Sequence, residues 1–295
     1  MASGNLDILT GAGISAESRD PTFRADDGLW MGHRIEDVAT PEAFARDPAL
    51  VQDFYNKRRR QLAEVQPNLA HHALAELAAR WEGDFLLVTQ NVDDLHDRAH
   101  ALQPPGPGFE LIHMHGELLK AHCTATGAVI DCPDDLDPRH DSPFSSEGRL
   151  RPHIVWSGEM PLRMERIEAA IADCDLFVSI GTSGAVYPAA GFVQDARRAR
   201  ARTVEINLDP SHGARSFDEV RRRHEVLSLA AQARMREYNA LGHPHPRHCD
   251  VVRRRRRTWG KSWDSASRTI PVSRSRGTCA AASASAWRIP RFRRN

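Results

Sequence analysis

Cysteine is scarce in this chain: Cys123, Cys132, Cys174, Cys249 and Cys279 are spread through 295 residues. Their odd number and wide spacing argue against a disulfide framework and for a reducing compartment, so a cytoplasmic location is expected. No C-x-x-C pair occurs, which removes the usual paired-thiolate zinc knuckle. No run of eighteen apolar residues exists, so no membrane-spanning helix is expected. The first residues, Met-Ala-Ser-Gly-Asn, carry neither a basic stretch nor an apolar one, so no export signal is expected.

Net charge is also low, at +1, but it is unevenly spread. Residues 221–295 carry +15 and the first 220 carry −14. Arg253 to Arg257 is an unbroken arginine run, followed by Ser-, Ala- and Arg-rich sequence without periodicity. Three readings of residues 221–295 stand side by side: a nucleic-acid-binding arm, a disordered tail, or translation in a shifted reading frame.

The first 220 residues have a repeated grammar. Leu6–Thr10, Phe85–Thr89, Leu111–His115, Leu176–Ile180 and Thr203–Asn207 are short apolar or β-branched runs. Each stops at small or polar residues. Near-continuous apolar runs fit strands buried on both faces of a parallel sheet. Helical patterns at Leu69–Trp81, Met164–Ala172 and Ala189–Ala199 lie between them. Alternating strands and helices predict a doubly wound, Rossmann-like α/β sheet whose ligand lies beyond the strands' carboxyl ends. Two stretches break the alternation. Residues 31–68 read as helical, with Asp47 capping a helix that Pro48 opens. Residues 119–150 are polar and rich in Asp, Pro and Ser, with little to form a core. Both read as insertions building a small second lobe.

The chemistry-bearing residues sit at the strand ends. Gly11-Ala-Gly13 permits a sharp turn and close ligand approach, and a helix opening from Ile14 would aim N–H groups at a pyrophosphate. A plain tight turn explains the same residues. Gln90-Asn-Val-Asp93 offers an amide and a carboxylate suited to ribose hydroxyls, though such a sequence is also a common turn. In His113-Met-His115, alternation sends both rings to one face of a strand, with His115 the more exposed. An imidazole there can take a proton near neutral pH, or be structural. Val51, Tyr55, Arg58 and Leu62 fall on one helix face at i, i+4, i+7 and i+11, which should turn inward. A buried guanidinium then calls for an anion. A solvated basic cluster is the competing reading, because Lys57, Arg59 and Arg60 adjoin.

The full string G-A-G-I-S-A-E-S, followed by P-T-F-R and D-G-L-W up to Trp30, resembles the signature of the sirtuins, NAD-dependent protein lysine deacylases. The resemblance runs from about residue 5 to 219 with its motifs in family order. It implies that NAD is bound by Gly11, Ala12, Gly13, Ser15, Ala16, Glu17, Thr22, Phe23, Arg24 and Trp30. Gln90, Asn91 and Asp93 match the motif on the nicotinamide side. Gly181-Thr182-Ser183 and Asn207-Leu208-Asp209 match positions that hold the adenosine phosphate and ribose. His115 matches the general base, with Asn91 and Asp93 orienting the ribose. Val155, Trp156, Gly158 and Glu159 match the segment that pairs with the substrate peptide, where Ser157 replaces an aromatic common in relatives. Tyr55, Arg58 and the small Ala39 resemble class III sirtuins, which remove succinyl, malonyl and glutaryl groups. The implied reaction moves an acyl group, acetyl or preferably a negatively charged one such as succinyl or malonyl, from lysine to ADP-ribose, giving free lysine, nicotinamide and O-acyl-ADP-ribose. The partners are acylated lysines of proteins, with nucleic acid added only if the basic tail is genuine. Zinc departs from the family pattern. Only Cys123 and Cys132 lie in the expected region, and His122 and His140 complete no regular set, so no structural zinc is expected. The alternative function is a weak or inactive NAD-binding remnant with a basic nucleic-acid-binding tail.

Overall fold

The computed structural model describes residues 4–18, 29, 30, 32–137 and 141–222. The chain enters through β1 (Leu6–Thr10) and the single-turn helix α1 (Ala12–Ser15). A two-stranded ribbon, β2 (Leu29–Trp30) and β3 (His33–Arg34), leads to α2 (Ile35–Val38), α3 (Pro41–Arg46) and α4 (Pro48–Leu62). Then come α5 (Leu69–Arg80), β4 (Phe85–Thr89), α6 (Leu95–Leu102) and β5 (Phe109–His113). A separate antiparallel section holds β6 (Gly116–Cys123), β7 (Val129–Asp131), β8 (Asp141–Ser142) and β9 (Ser145–Ile154). The chain finishes its described part with α7 (Met164–Ala172), β10 (Leu176–Ile180), α8 (Phe192–Arg198), β11 (Arg202–Asn207) and β12 (Glu219–Arg222).

Six of these strands form one parallel sheet in the order β12-β11-β10-β1-β4-β5. Counted within the sheet this is the doubly wound order 3-2-1-4-5-6, with its switch point between β1 and β10. Leu6 faces Phe85 on one side and Leu176 on the other, which fixes the register at the centre. Strand alternation feeds two cores. Leu9, Leu86, Val88 and Ile112 pack with Ile167 and Ile171 of α7 and Phe192 and Val193 of α8. Leu6, Ile8, Phe85, Leu87 and Val178 pack on the other face with Leu74 and Ala78 of α5. Each of these larger side chains stabilises the fold by about 1.5–3 kcal/mol on burial, which is why the runs carry no polar face.

The second lobe has its own core. The Asp47 carboxylate accepts from the Leu50 N–H at 3.0 Å, capping α4 as expected. That helix packs Val51, Phe54, Tyr55 and Leu62 against Val38, Leu118, Ile154 and Trp156.

Several expectations are corrected. Residues 119–150 do form a core, because β6 and β9 pair antiparallel and enclose Ala121, Cys123, Leu136 and Leu150. Polar composition hid this, since only one face of that sheet is apolar. The helix expected from Ile14 begins at Ala12 and lasts one turn. The third strand ends at His113, not His115. The helix expected over 189–199 is a 3-10 turn followed by α8. The sheet also runs past residue 220, since Arg221 and Arg222 belong to edge strand β12. The remaining arginine-rich sequence lies outside the described residues, as does any choice among its three readings.

Candidate active site

Four strand ends converge on one cavity of about 690 Å³. Its first wall is the switch point. The Gly11 N–H donates to the Ile180 carbonyl at 3.1 Å and the Gly13 N–H to the Gly181 carbonyl at 2.7 Å. A side chain on Gly13 would stand 2.7 Å from the Gly181 oxygen. Gly181 takes φ +65°, and a Cβ there would lie 2.5 Å from the Ile14 nitrogen. The two turns are thus pressed backbone to backbone, and only glycine permits it.

Beside them lies a buried polar cluster. The Ser15 hydroxyl donates to an Asp93 carboxylate oxygen at 3.0 Å and accepts from the Asn91 amide at 3.0 Å. All three side chains are more than nine-tenths buried. Gln90 donates from its side chain to the Thr182 hydroxyl at 3.0 Å, tying the second strand end to the fourth.

His115 stands in the turn after β5, on the cavity wall. Its Nδ1 lies 3.0 Å from the Gln90 carbonyl oxygen. A carbonyl only accepts, so Nδ1 carries the proton and the neutral ring keeps a lone pair on Nε2. Burial lowers the pKa of His115 and the Gln90 carbonyl opposes it, with a net value below the usual 6.5. The ring is therefore neutral and basic at physiological pH. His113, two residues earlier, instead meets Asp97 at 3.0 Å. Burial lowers its pKa, but the Asp97 contact outweighs this and leaves it raised. Separate roles for the two histidines follow from the strand's early end.

The opposite wall belongs to the second lobe. Tyr55 and Arg58 are 0% and 5% exposed and both line the cavity, as does Ala39. The α4 stripe thus turns inward. The Tyr55 hydroxyl accepts from the Trp156 indole N–H at 2.8 Å. Trp156 is itself fixed by Arg151, whose guanidinium lies 3.6 Å above the ring and grips Glu159 at 2.7 and 2.8 Å. Burial works against ionisation of Glu159, but hydrogen bonds from Arg151 and the Trp156 N–H prevail and hold its carboxyl below the usual value. The Val155–Glu159 segment is held at both ends. The Val155 N–H donates to the His115 carbonyl at 2.9 Å and the Ser157 N–H to the Ala39 carbonyl at 3.1 Å.

A volume of this size, glycine turns that admit a ligand to the backbone, and buried hydroxyl, amide and carboxylate groups suit a dinucleotide. The Sir2 family signature matches residues 11–188. The chain belongs to the Sir2 family. Relatives named NAD-dependent protein deacylase include one from Vibrio vulnificus, 55% identical over 222 residues, covering 74% of this chain and 87% of the relative. Another, from Yersinia pseudotuberculosis, is 57% identical over 217 residues, covering 72% and 75%. A crystal structure of a Sir2 homolog–NAD complex superposes with a TM-score of 0.67 at 33% identity, over 80% of this chain and 90% of that one. A mutant Sir2 homologue complexed with 2'-O-acetyl ADP-ribose gives 0.67 at 34% identity, over 78% and 92%.

Most site residues expected from this Sir2 sequence meet in the cavity. Gly11, Ala12, Gly13, Ser15 and Ala16 line it from β1 and α1. Gln90, Asn91, Asp93, His115, Gly181, Thr182 and Ser183 line it from the other strand ends, and Val155, Trp156, Gly158 and Glu159 from the segment after β9. Glu17, Asn207, Leu208 and Asp209 do not line it, although the Asn207 amide donates to the Thr182 carbonyl at 2.7 Å. Thr22, Phe23, Arg24 and the Trp30 side chain lie outside the described residues. Among the described residues no group of three or more His, Cys, Asp or Glu is placed to hold a metal. His140 is not described. Reasoning from sequence missed Ile35, Val92 and Ile154 on the cavity wall. They are ordinary apolar residues, and only the tertiary placement distinguishes them from core.

Proposed function

We propose that this Sir2 enzyme, an NAD-dependent protein deacylase, preferentially removes negatively charged acyl groups, succinyl and malonyl, from lysine side chains. The observation that carries the acyl preference is Arg58, 5% exposed yet on the cavity wall beside Tyr55 and Ala39. Holding a guanidinium away from water is costly, and a substrate carboxylate gripped by two parallel N–H bonds offsets that cost. The Tyr55 hydroxyl, oriented by Trp156, stands on the same helix face one turn away. The small Ala39 leaves room for a longer acyl chain.

NAD, when bound, supplies the activated ribose carbon that receives the acyl group. Gly11, Gly13 and Gly181 let the backbone approach its phosphates, and Thr182 and Ser183 add hydroxyl donors. Asn91 and Asp93 orient the nicotinamide ribose. His115, protonated on Nδ1, takes a ribose hydroxyl proton at Nε2. The Val155–Glu159 segment pairs with the extended peptide backbone, so affinity makes little demand on substrate sequence.

Arg58→Met tests the acyl assignment. Succinyl removal should lose about 2–4 kcal/mol in kcat/KM terms, with acetyl removal changed only a few-fold. Equal losses on succinyl and acetyl peptides would falsify the role given to Arg58.

A further inference from the structure

Behind the Ser15–Asn91–Asp93 cluster lies a histidine that the reaction does not touch. His71 is fully buried on α5, facing α1. Its Nδ1 accepts the Asn68 backbone N–H at 3.3 Å, one half of a reciprocal cap at the start of α5. A backbone N–H can only donate, so Nδ1 is unprotonated and the neutral ring carries its proton on Nε2. That Nε2 lies 3.4 Å from the Ser15 hydroxyl oxygen. Burial, with smaller contributions from His72 and Arg98, pushes the His71 pKa down to about 4, so the neutral ring persists at physiological pH.

The polarity of the whole chain of bonds is then determined. The Ser15 oxygen has two lone pairs and one proton. It accepts from His71 Nε2 and from the Asn91 amide, and its single proton goes to Asp93. The other Asp93 oxygen accepts the Leu95 N–H at 3.1 Å. Asn68 also donates to the Ile14 carbonyl at 2.7 Å, bolting the start of α5 to α1. The His96 ring closes the back of the layer, edge-on to His71 at 4.8 Å between centroids.

We propose that His71 is a positioning residue for the dinucleotide: it sets the direction of the Ser15 hydroxyl and, through it, the side chains of Asn91 and Asp93. The proposal rests on the reading of the cavity as an NAD site. Ser15, Asn91 and Asp93 meet the ligand, while His71 acts only through them. One ring thus serves two ends, with Nδ1 holding the helix cap and Nε2 holding the pocket.

Two substitutions separate the ends. Asn in place of His71 puts an acceptor near Nδ1 and nothing at Nε2. Gln puts a donor near Nε2 and leaves the cap N–H without its acceptor. His71→Asn should raise the Kd and KM for NAD about ten-fold, the usual effect of one buried hydrogen bond lost, with the acyl-peptide KM within two-fold and the melting temperature near wild type. His71→Gln should lower the melting temperature and keep the NAD KM within about three-fold. In a Ser15→Ala background, His71→Asn should add no further loss of NAD affinity. The proposal is overturned if His71→Asn binds NAD as the wild type does, or if Gln and Asn lose NAD affinity equally. If His71→Asn does not fold, His71→Gln carries the test: an NAD KM raised as far as by Ser15→Ala overturns the proposal, because Gln keeps the donor at Nε2. An unchanged NAD KM in Ser15→Ala also overturns it. Wild-type protein that fails to bind NAD sinks the functional reading itself. Wild-type binding together with unaffected His71 variants sinks this inference alone.

Discussion

The two walls of the cavity are built on different principles. The switch-point wall is made of backbone: Gly11 and Gly13 against Ile180 and Gly181, with main-chain bonds of 3.1 and 2.7 Å between them. The second-lobe wall is made of side chains: Arg58 from α4 and, on the same helix, Tyr55, held by Trp156 and, behind it, Arg151 and Glu159. A backbone wall accepts almost no substitution, because any Cβ collides with the facing turn. A side-chain wall can change its specificity with one residue while the sheet stays as it is. The first suits a ligand that never varies and the second a ligand that does.

The sharpest break should come at the residue between the walls. His115→Ala should reduce turnover about 100- to 10,000-fold, the usual contribution of a general base. In the wild type the active form is the neutral ring, present above the folded pKa and lost as pH falls through it. Because burial lowers that pKa in the free protein, the acid limb of kcat/KM against pH should lie below 6.5. A limb at or above 6.5 would show that another group titrates.

Gly181→Ala should break the backbone wall alone. The residue would be forced to φ +65° against the Ile14 nitrogen, at a cost of about 3 kcal/mol in strain and overpacking. NAD titration should show weakened affinity, while the ratio of succinyl to acetyl activity stays the same. Arg58→Met should do the reverse, changing that ratio and sparing NAD binding. If both variants moved both quantities together, the division into two walls would be wrong. Trp156→Phe is the mildest probe. It deletes the indole N–H that the Tyr55 hydroxyl accepts, and should cost about 1 kcal/mol on succinyl substrates with the NAD KM unchanged.

The two walls also differed in how easily they were read. The backbone wall was legible because glycine in a strand-to-helix turn is a direct statement about φ and packing. Gly11 and Gly13 are legible this way, whereas Gly181 is legible only through its place in the sirtuin motif order. The Tyr55–Arg58 stripe was legible as helical period, but period alone left a solvated basic cluster open until burial on α4 excluded it. His113 and His115 share one strand face in the sequence pattern, with His115 the more exposed. They separate because β5 stops at His113, a boundary set by pairing with β4 and not by propensity. The polar stretch 119–150 concealed a core because one-sided sheets need few apolar residues. His71 carried no motif at all, and its meaning comes from two contacts with residues 3 and 56 positions away in sequence.

The residue order by itself determined the doubly wound sheet, the glycine turns at its switch point and the family to which the chain belongs, because apolar period and glycine placement are local properties. Tertiary structure alone decided which partner each imidazole meets, that Arg59 is shut away from water along with Arg58, and which histidine orients the serine beneath the pocket. Those outcomes depend on burial and on the partner each ring nitrogen meets, and both arise only when distant segments pack together.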